Sequence, residues 1–281
     1  MNTDKLPITV IVPVRNEEKN LPNMLSLLAE FDEVIVVDSH STDKTPEIVK
    51  SFGYQLVEFE WNGHFPKKRN WTLRNVPIRN EWVFFVDADE YMTPDFMKGL
   101  REAFRDTKDN VGYWIYYTNY FMGKLLKHGD PIHKLALFKK SAGEYERIDA
   151  EEDDKNWGYA GIELHEQPVL DGPVGVIRGR VDHKENRGLE AYIRKHNEFS
   201  TWEAIRFVKN TRESEGLTFQ QKVKYSLLDS LWLSRLYYIY IYFFKLGFLD
   251  GQAGYVYAQL KKQYFFTIKA KIDELKKRSK N

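Results

Sequence analysis

Short apolar runs that alternate with helical patterns, each run ending on polar residues, constrain the fold of this 281-residue chain more than any other feature. Residues 8–12, 34–37, 54–59 and 82–86 read as strands. Residues 21–31 carry Leu21, Leu25 and Leu28 on one stripe of an amphipathic helix. Further helices are expected over 45–52, 67–73 and 94–104. Near-continuous apolar strands separated by helices imply βαβ crossovers and a mainly parallel α/β sheet covered on both faces. In such sheets the ligand lies beyond the carboxyl ends of the strands. The polar residues there are the ones to weigh.

Four constellations occupy those ends. Pro13-Val14-Arg15-Asn16-Glu17-Glu18 follows the first strand and Asp38-Ser39-His40-Ser41-Thr42-Asp43 the second. Lys67-Lys68-Arg69-Asn70 opens the helix after the third, and Asp87-Ala88-Asp89-Glu90 follows the fourth. Any one of them has the composition of a helix cap. Four on successive strand ends read as a binding site. Two carboxylates two residues apart in an extended segment share a side. Such a pair suits a divalent cation lying between it and phosphate oxygens.

Composition removes whole classes of chemistry. Cysteine is absent, which excludes a disulfide scaffold, a thiol nucleophile and a thiolate metal site. The net charge of +1 gives no global field toward nucleic acid. That neutrality is a cancellation: residues 225–281 hold 10 basic against 4 acidic side chains, together with 14 of the 42 aromatics. Residues 111–183 add strand-like runs at 113–119, 136–139 and 176–181 around an acidic stretch at 144–154, and the pattern turns helical from Gly188.

Taken together, Val-Pro-Val-Arg-Asn-Glu-Glu, Val-Val-Asp-Ser-x-Ser-Thr-Asp-x-Thr, Lys-Arg-Asn and Val-Asp-Ala-Asp-Glu resemble the family 2 glycosyltransferases of the GT-A fold. The likeness runs through residues 7–105. His128-Gly129, Leu164-His165-Glu166, Asp182-His183 and Phe248-Leu249-Asp250-Gly251 are similar, more loosely, to the branch that builds lipopolysaccharide cores and capsular polysaccharides. The resemblance implies a Rossmann-like donor subdomain over residues 1–110, an acceptor-side and catalytic subdomain over 111–187, and a helical, aromatic-rich extension over 188–281. It implies inverting hexosyl transfer from a nucleotide-sugar, expected to be UDP-linked, to a hydroxyl of a cell-envelope glycan or lipid-linked acceptor.

Residue by residue, the resemblance puts Pro13, Arg15 and Glu17 around the base and ribose, and Asp38 on the base. Arg69 would reach the base or diphosphate, and Asp87 the ribose or a metal-bound water, with Ala88 beside it. Asp89 and His183 would hold Mg²⁺ or Mn²⁺. Glu166 is the expected general base, with Glu163 and Asp171 as neighbouring alternatives. Arg15 stands where other members carry an aromatic residue. A sugar-phosphate nucleotidyltransferase is a rival reading, but the Gly-rich phosphate loop it needs after the first strand is missing. A catalytically silent glycan-binding scaffold is another, and the presence of Asp87, Asp89 and Arg69 weighs against it.

The basic, aromatic tail reads as a membrane-surface element. Aromatic rings with polar tips suit the lipid–water boundary, and lysines suit anionic headgroups. The longest late apolar stretch, residues 236–244, is far short of the roughly 20 residues that span a bilayer. No secretory signal pattern opens the sequence. The expectation is a cytoplasmic enzyme lying on the inner face of the cytoplasmic membrane.

Overall fold

A computed structural model describes residues 5–62, 66–129, 132–145, 167–184, 188–212 and 227–278. The chain forms two compact units, Met1–Thr118 with Ile132–Lys184, and Asn119–Pro131 with Glu185–Asn281. In the first unit, β1 (Leu6–Val14), β2 (Phe31–Asp38), β3 (Gln55–Glu58) and β4 (Trp82–Phe85) lie in the order β3-β2-β1-β4 with every pairing parallel. The crossovers carry α1 (Leu21–Ser26), α2 (Thr45–Ser51) and α3 (Lys68–Asn75).

Both faces of β1, β2 and β4 are buried, which explains why these strands read as largely apolar runs. Ile8, Val10, Val12, Val34, Val36 and Phe84 enter one core cluster, while Ile11, Ile35, Val37, Val83 and Phe85 enter the other. Each fully buried side chain of this kind contributes about 1.5–3 kcal/mol. The helix expected over 21–31 stops at Ser26. Phe31 is already in the sheet, where its partner is Leu6, so the helix must end early enough for the chain to turn back.

Beyond β4 the pairing becomes antiparallel. β5 (Glu90–Tyr91) and α4 (Pro94–Arg105) follow the fourth strand, and then come β6 (Gly112–Phe121), β7 (Lys124–Leu126) and β8 (Ile132–Lys139). β8 pairs antiparallel with both β4 and β6, and β7 pairs with the end of β6. β9 (Gly143–Tyr145) and β10 (Pro168–Leu170) form a separate small ribbon. β11 (Val174–Lys184) takes the place next to β6 and pairs antiparallel with β5, setting His183 opposite Glu90. α4 packs on β11 through two glycines. A Cβ on Gly99 would stand 2.1 Å from the Arg178 carbonyl oxygen, and one on Gly179 would stand 2.6 Å from the Phe96 nitrogen.

In the second unit, α5 (Gly188–Arg212), α6 (Trp232–Ile239) and α7 (Gly251–Arg278) enclose Ala204, Phe207, Leu228, Ile268 and Ile272. Two of the looser sequence motifs meet here. The buried Asp250 carboxylate accepts hydrogen bonds from the backbone nitrogens of Lys127 (3.1 Å) and His128 (3.0 Å), and Gly129 donates its own to the Lys245 carbonyl at 2.9 Å. Gly129 and Gly251 both need the left-handed region, with φ of +87° and +65°. The pairing is architectural.

The lysines of α7, expected to face lipid, are largely engaged within the unit. Lys276 reaches Asp229 at 2.9 Å, Lys269 reaches it at 3.3 Å, and Lys271 donates to Asn197, Ser200 and Thr201 of α5. The exposed apolar surface lies earlier, on α6 and the π-helical turn Tyr240–Phe244. Trp232, Leu236 and Phe243 are all exposed there, and Phe244 is 76% exposed. A cleft of about 610 Å³ opens between α6 and α7, lined by Leu231, Arg235, Tyr255, Val256, Lys262 and Phe266. Among the described residues no helix is long and apolar enough to cross a membrane.

Candidate active site

The carboxyl ends of β1 and β2 are laced together. Asn16, at φ +56°, donates its backbone N–H to the Ser41 hydroxyl at 2.8 Å, and its side-chain oxygen accepts from the Thr42 nitrogen at 2.8 Å. The Glu17 nitrogen donates to the Thr45 hydroxyl at 2.9 Å, and the Glu18 nitrogen to Asp43 at 3.1 Å. The Ser41 and Thr45 hydroxyls therefore serve the loop after β1, and Asp43 divides its oxygens between that loop and the Thr45 nitrogen at 3.0 Å. The N-cap of α2 is Lys44, which makes no side-chain cap. Asp38 is 2% exposed, and its carboxylate accepts both the Ser41 N–H (3.0 Å) and the Ser41 hydroxyl (2.5 Å). Pro13 and Glu17 are half-buried at this rim and Arg15 is exposed.

α3 delivers Arg69. Its neighbour Asn70 is buried and grips β9 from both sides, donating to the Tyr145 carbonyl at 2.8 Å and accepting from the Tyr145 nitrogen at 2.9 Å. The Tyr145 ring is thereby fixed beneath Arg69, whose guanidinium lies 5.1 Å from its centre. This is a cation–π contact. Arg69 also stands 3.5 Å from the Asp87 carboxylate. In the Lys-Arg-Asn run the asparagine builds the platform and the arginine is presented on it.

The acidic triplet departs from the sequence expectation. Asp87–Glu90 closes a turn through a bond from the Glu90 nitrogen to the Asp87 carbonyl at 3.0 Å, so the segment is not extended. The two aspartates part company. Asp87 points to Arg69 and to Lys134 of β8, whose Nζ lies 2.7 Å away. Asp89, 7% exposed, faces His183 on β11, with Oδ2 and Nε2 3.6 Å apart. Lys134 supplies a compensating cation from the chain itself. It also contacts Glu90, which is 1% exposed, and lies 5.1 Å over the Tyr117 ring.

The electrostatics follow from this packing. Burial pushes the Glu90 carboxyl up, against the opposing pull of Lys134. Burial pulls the Lys134 ammonium down, but Asp87 and Glu90 outweigh it and leave the group well above the usual lysine range. Burial likewise pulls His183 down, and the Asp89 carboxylate more than reverses it, so the imidazole lies above its ordinary value.

Asp89 and His183 are the pair that could hold a divalent metal. Among the described residues no cluster of three or more His, Asp, Glu or Cys side chains is assembled for one. One carboxylate and one imidazole nevertheless fit Mg²⁺ or Mn²⁺, which take most of their ligands from water and phosphate oxygens. The buried Nδ1 of His183 has no hydrogen-bond partner among the described residues, while Nε2 is the atom turned to Asp89. Ala88 is buried inside the turn. Glu166, Glu163 and His165 lie outside the described residues, and Asp171 is exposed after β10.

A model of the family described as glycosyl transferase family 2 matches residues 9–161, more than half of the chain. The lipopolysaccharide core biosynthesis glycosyltransferase LpsC of Rhizobium meliloti is 25% identical over 276 residues, covering 95% of this chain and 92% of that protein. An uncharacterized glycosyltransferase of Rickettsia prowazekii is 23% identical over 254 residues, covering 87% of this chain and 81% of its own. The solved structure of the mannosyltransferase PcManGT from Pyrobaculum calidifontis, in complex with GDP-Man and Mn²⁺, aligns with a TM-score of 0.52 at 19% identity. That alignment covers 95% of this chain and 87% of PcManGT, and the likeness is one of fold.

Proposed function

The chain belongs to glycosyl transferase family 2 and has the GT-A fold, and from that premise we propose inverting transfer of a sugar from a UDP-linked donor to a hydroxyl of a cell-envelope glycan or lipid-linked acceptor. Family membership sets aside the nucleotidyltransferase alternative. The observation that carries the donor site is the meeting of Arg69–Asp87 with Asp89–His183 beyond the ends of the parallel strands. Pro13, Arg15 and Glu17 border the base and ribose pocket. Each Asp38 oxygen keeps a second lone pair for the base after serving Ser41.

Asp89 and His183 would hold Mg²⁺ or Mn²⁺, which when bound neutralises charge on the diphosphate leaving group. Arg69 adds a fixed cation to the same task. Asp87 fixes the ribose, with Ala88 keeping the turn tight. Glu166, assigned on sequence, takes the proton from the attacking hydroxyl, and no covalent intermediate is needed.

The envelope acceptor is supported by similarity to LpsC along nearly the whole chain. Contact with an anionic membrane surface, on the cytoplasmic face, is supported by the exposed rings of Trp232, Phe243 and Phe244, with Arg235 and Lys245 beside them. A thermal-shift screen of UDP-, GDP-, dTDP- and CMP-sugars with Mn²⁺ tests the donor. Stabilisation by UDP-sugars supports this account, and stabilisation by GDP-sugars alone overturns the uracil assignment. A product whose anomeric configuration by NMR matches the donor's overturns inversion.

A further inference from the structure

Lys134 stands among the polar motifs of this site without belonging to any of them. It sits on β8, some forty residues beyond the acidic turn, immediately before the apolar run Leu135–Phe138. Its Nζ bridges Asp87 at 2.7 Å and the nearly inaccessible Glu90. The second Glu90 oxygen accepts the backbone N–H of Asp87 at 3.1 Å, which closes the loop on the turn itself. The ring of Tyr117, fully buried on β6, covers the ammonium from a third side.

We propose that Lys134 is a positioning residue for donor binding. It supplies the permanent positive charge that aims Asp87 at the nucleotide and leaves Asp89 with His183 to take the metal. The inference deepens the donor-site reading above and rests on it. Its physical basis is a charge count at one corner of the site. Among the described residues two carboxylates, Asp87 and Glu90, face two cations, Lys134 and Arg69. Asp87 is thereby oriented by groups of the chain itself, without a metal. A carboxylate held by an ammonium and a guanidinium is a poor metal ligand and a well-aimed hydrogen-bond acceptor for ribose hydroxyls. The acidic triplet therefore divides its labour: Asp87 is set by lysine, and Asp89 serves the metal.

The test is calorimetry of UDP and GDP, with and without Mn²⁺, on full-length variants. Lys134→Met leaves the buried Glu90 carboxyl without its cation, which endangers folding. Lys134→Met with Glu90→Gln removes that cost and is the decisive variant. It should lose about 10- to 100-fold in nucleotide affinity in the absence of metal, as loss of a supporting partner does elsewhere. In assays the donor KM should rise by a similar factor with kcat little changed, and Lys134→Arg should restore much of the affinity. Asp87→Asn should cost no more in the Lys134→Met, Glu90→Gln background than about twofold, because both changes remove one interaction. Wild-type affinity in the decisive variant, or fully additive losses with Asp87→Asn, would overturn the lysine's role alone. Absence of nucleotide binding in the wild-type protein would overturn the donor-site reading as well.

Discussion

Gly179→Ala is the substitution whose consequence is most directly worked from the packing. Gly179 lies in β11 at φ +85°, and an alanine Cβ there would meet the Phe96 nitrogen at 2.6 Å and the Asp95 carbonyl carbon and oxygen at 2.7 Å. All three are backbone atoms of the first turn of α4. That turn is pinned, because the Thr93 hydroxyl accepts from the Phe96 nitrogen at 3.1 Å and donates to the Arg180 carbonyl at 2.6 Å. The clash cannot be relieved by a rotamer change. A non-glycine residue in the left-handed region costs about 1–2 kcal/mol. Overpacking adds about 1–3 kcal/mol, for a total of about 2–5 kcal/mol. Gly53→Ala is the control, since Gly53 has φ +70° but nothing within 4 Å of the added carbon, so it pays only the first term. Urea unfolding of the two variants should separate them by the steric term. Because β11 carries His183 four residues further on, Gly179→Ala should also weaken Mn²⁺-dependent nucleotide binding, and Gly53→Ala should not. Equal destabilisation by the two substitutions would refute the claim that glycine is required by the close approach of α4.

Asp250→Ala strands the backbone N–H groups of Lys127 and His128 and should cost about 1–3 kcal/mol, read as a lower melting temperature. Trp232→Ser combined with Phe244→Ser should reduce sedimentation with anionic vesicles at unchanged stability. Lys276→Gln should do the reverse, lowering stability and sparing vesicle binding, because its charge is committed to Asp229. Glu166→Gln should keep donor affinity by calorimetry while transfer falls by at least about 10²-fold, the scale of a lost general base.

The parallel half of the sheet was legible because burial on both faces leaves strands that are apolar throughout, and Ile8–Val12 or Trp82–Phe85 admit little else. The antiparallel half was harder to read. β5 is two residues long and exists through its pairing with β11, a contact made across some ninety positions that no local pattern records. The polar strand ends were visible as a group, but their internal division was not. Ser41 and Thr45 have cap composition and tie two loops together, Asp43 does so with one oxygen while the other accepts the first N–H of α2, and Asn70 looks like part of a ligand-binding run and holds β9. Lys134 escaped notice for a physical reason as well. A single lysine just before an apolar run within a strand has the composition of an ordinary strand edge, and its meaning comes only from the turn that folds against it. In the tail, the charge count suggested lipid contact through lysines that α5 and Asp229 already occupy, while the exposed rings of α6 and the following turn were hidden within a general aromatic excess.

Calorimetric titration of UDP into the wild-type protein and Asp89→Asn, with and without Mn²⁺, tests the central claim most directly. The account predicts that Mn²⁺ strengthens nucleotide binding to the wild-type protein and has no such effect on Asp89→Asn, which retains only the weaker, metal-independent affinity supplied by the Asp38, Arg69 and Asp87 side. Metal-strengthened binding that survives unchanged in Asp89→Asn would contradict it.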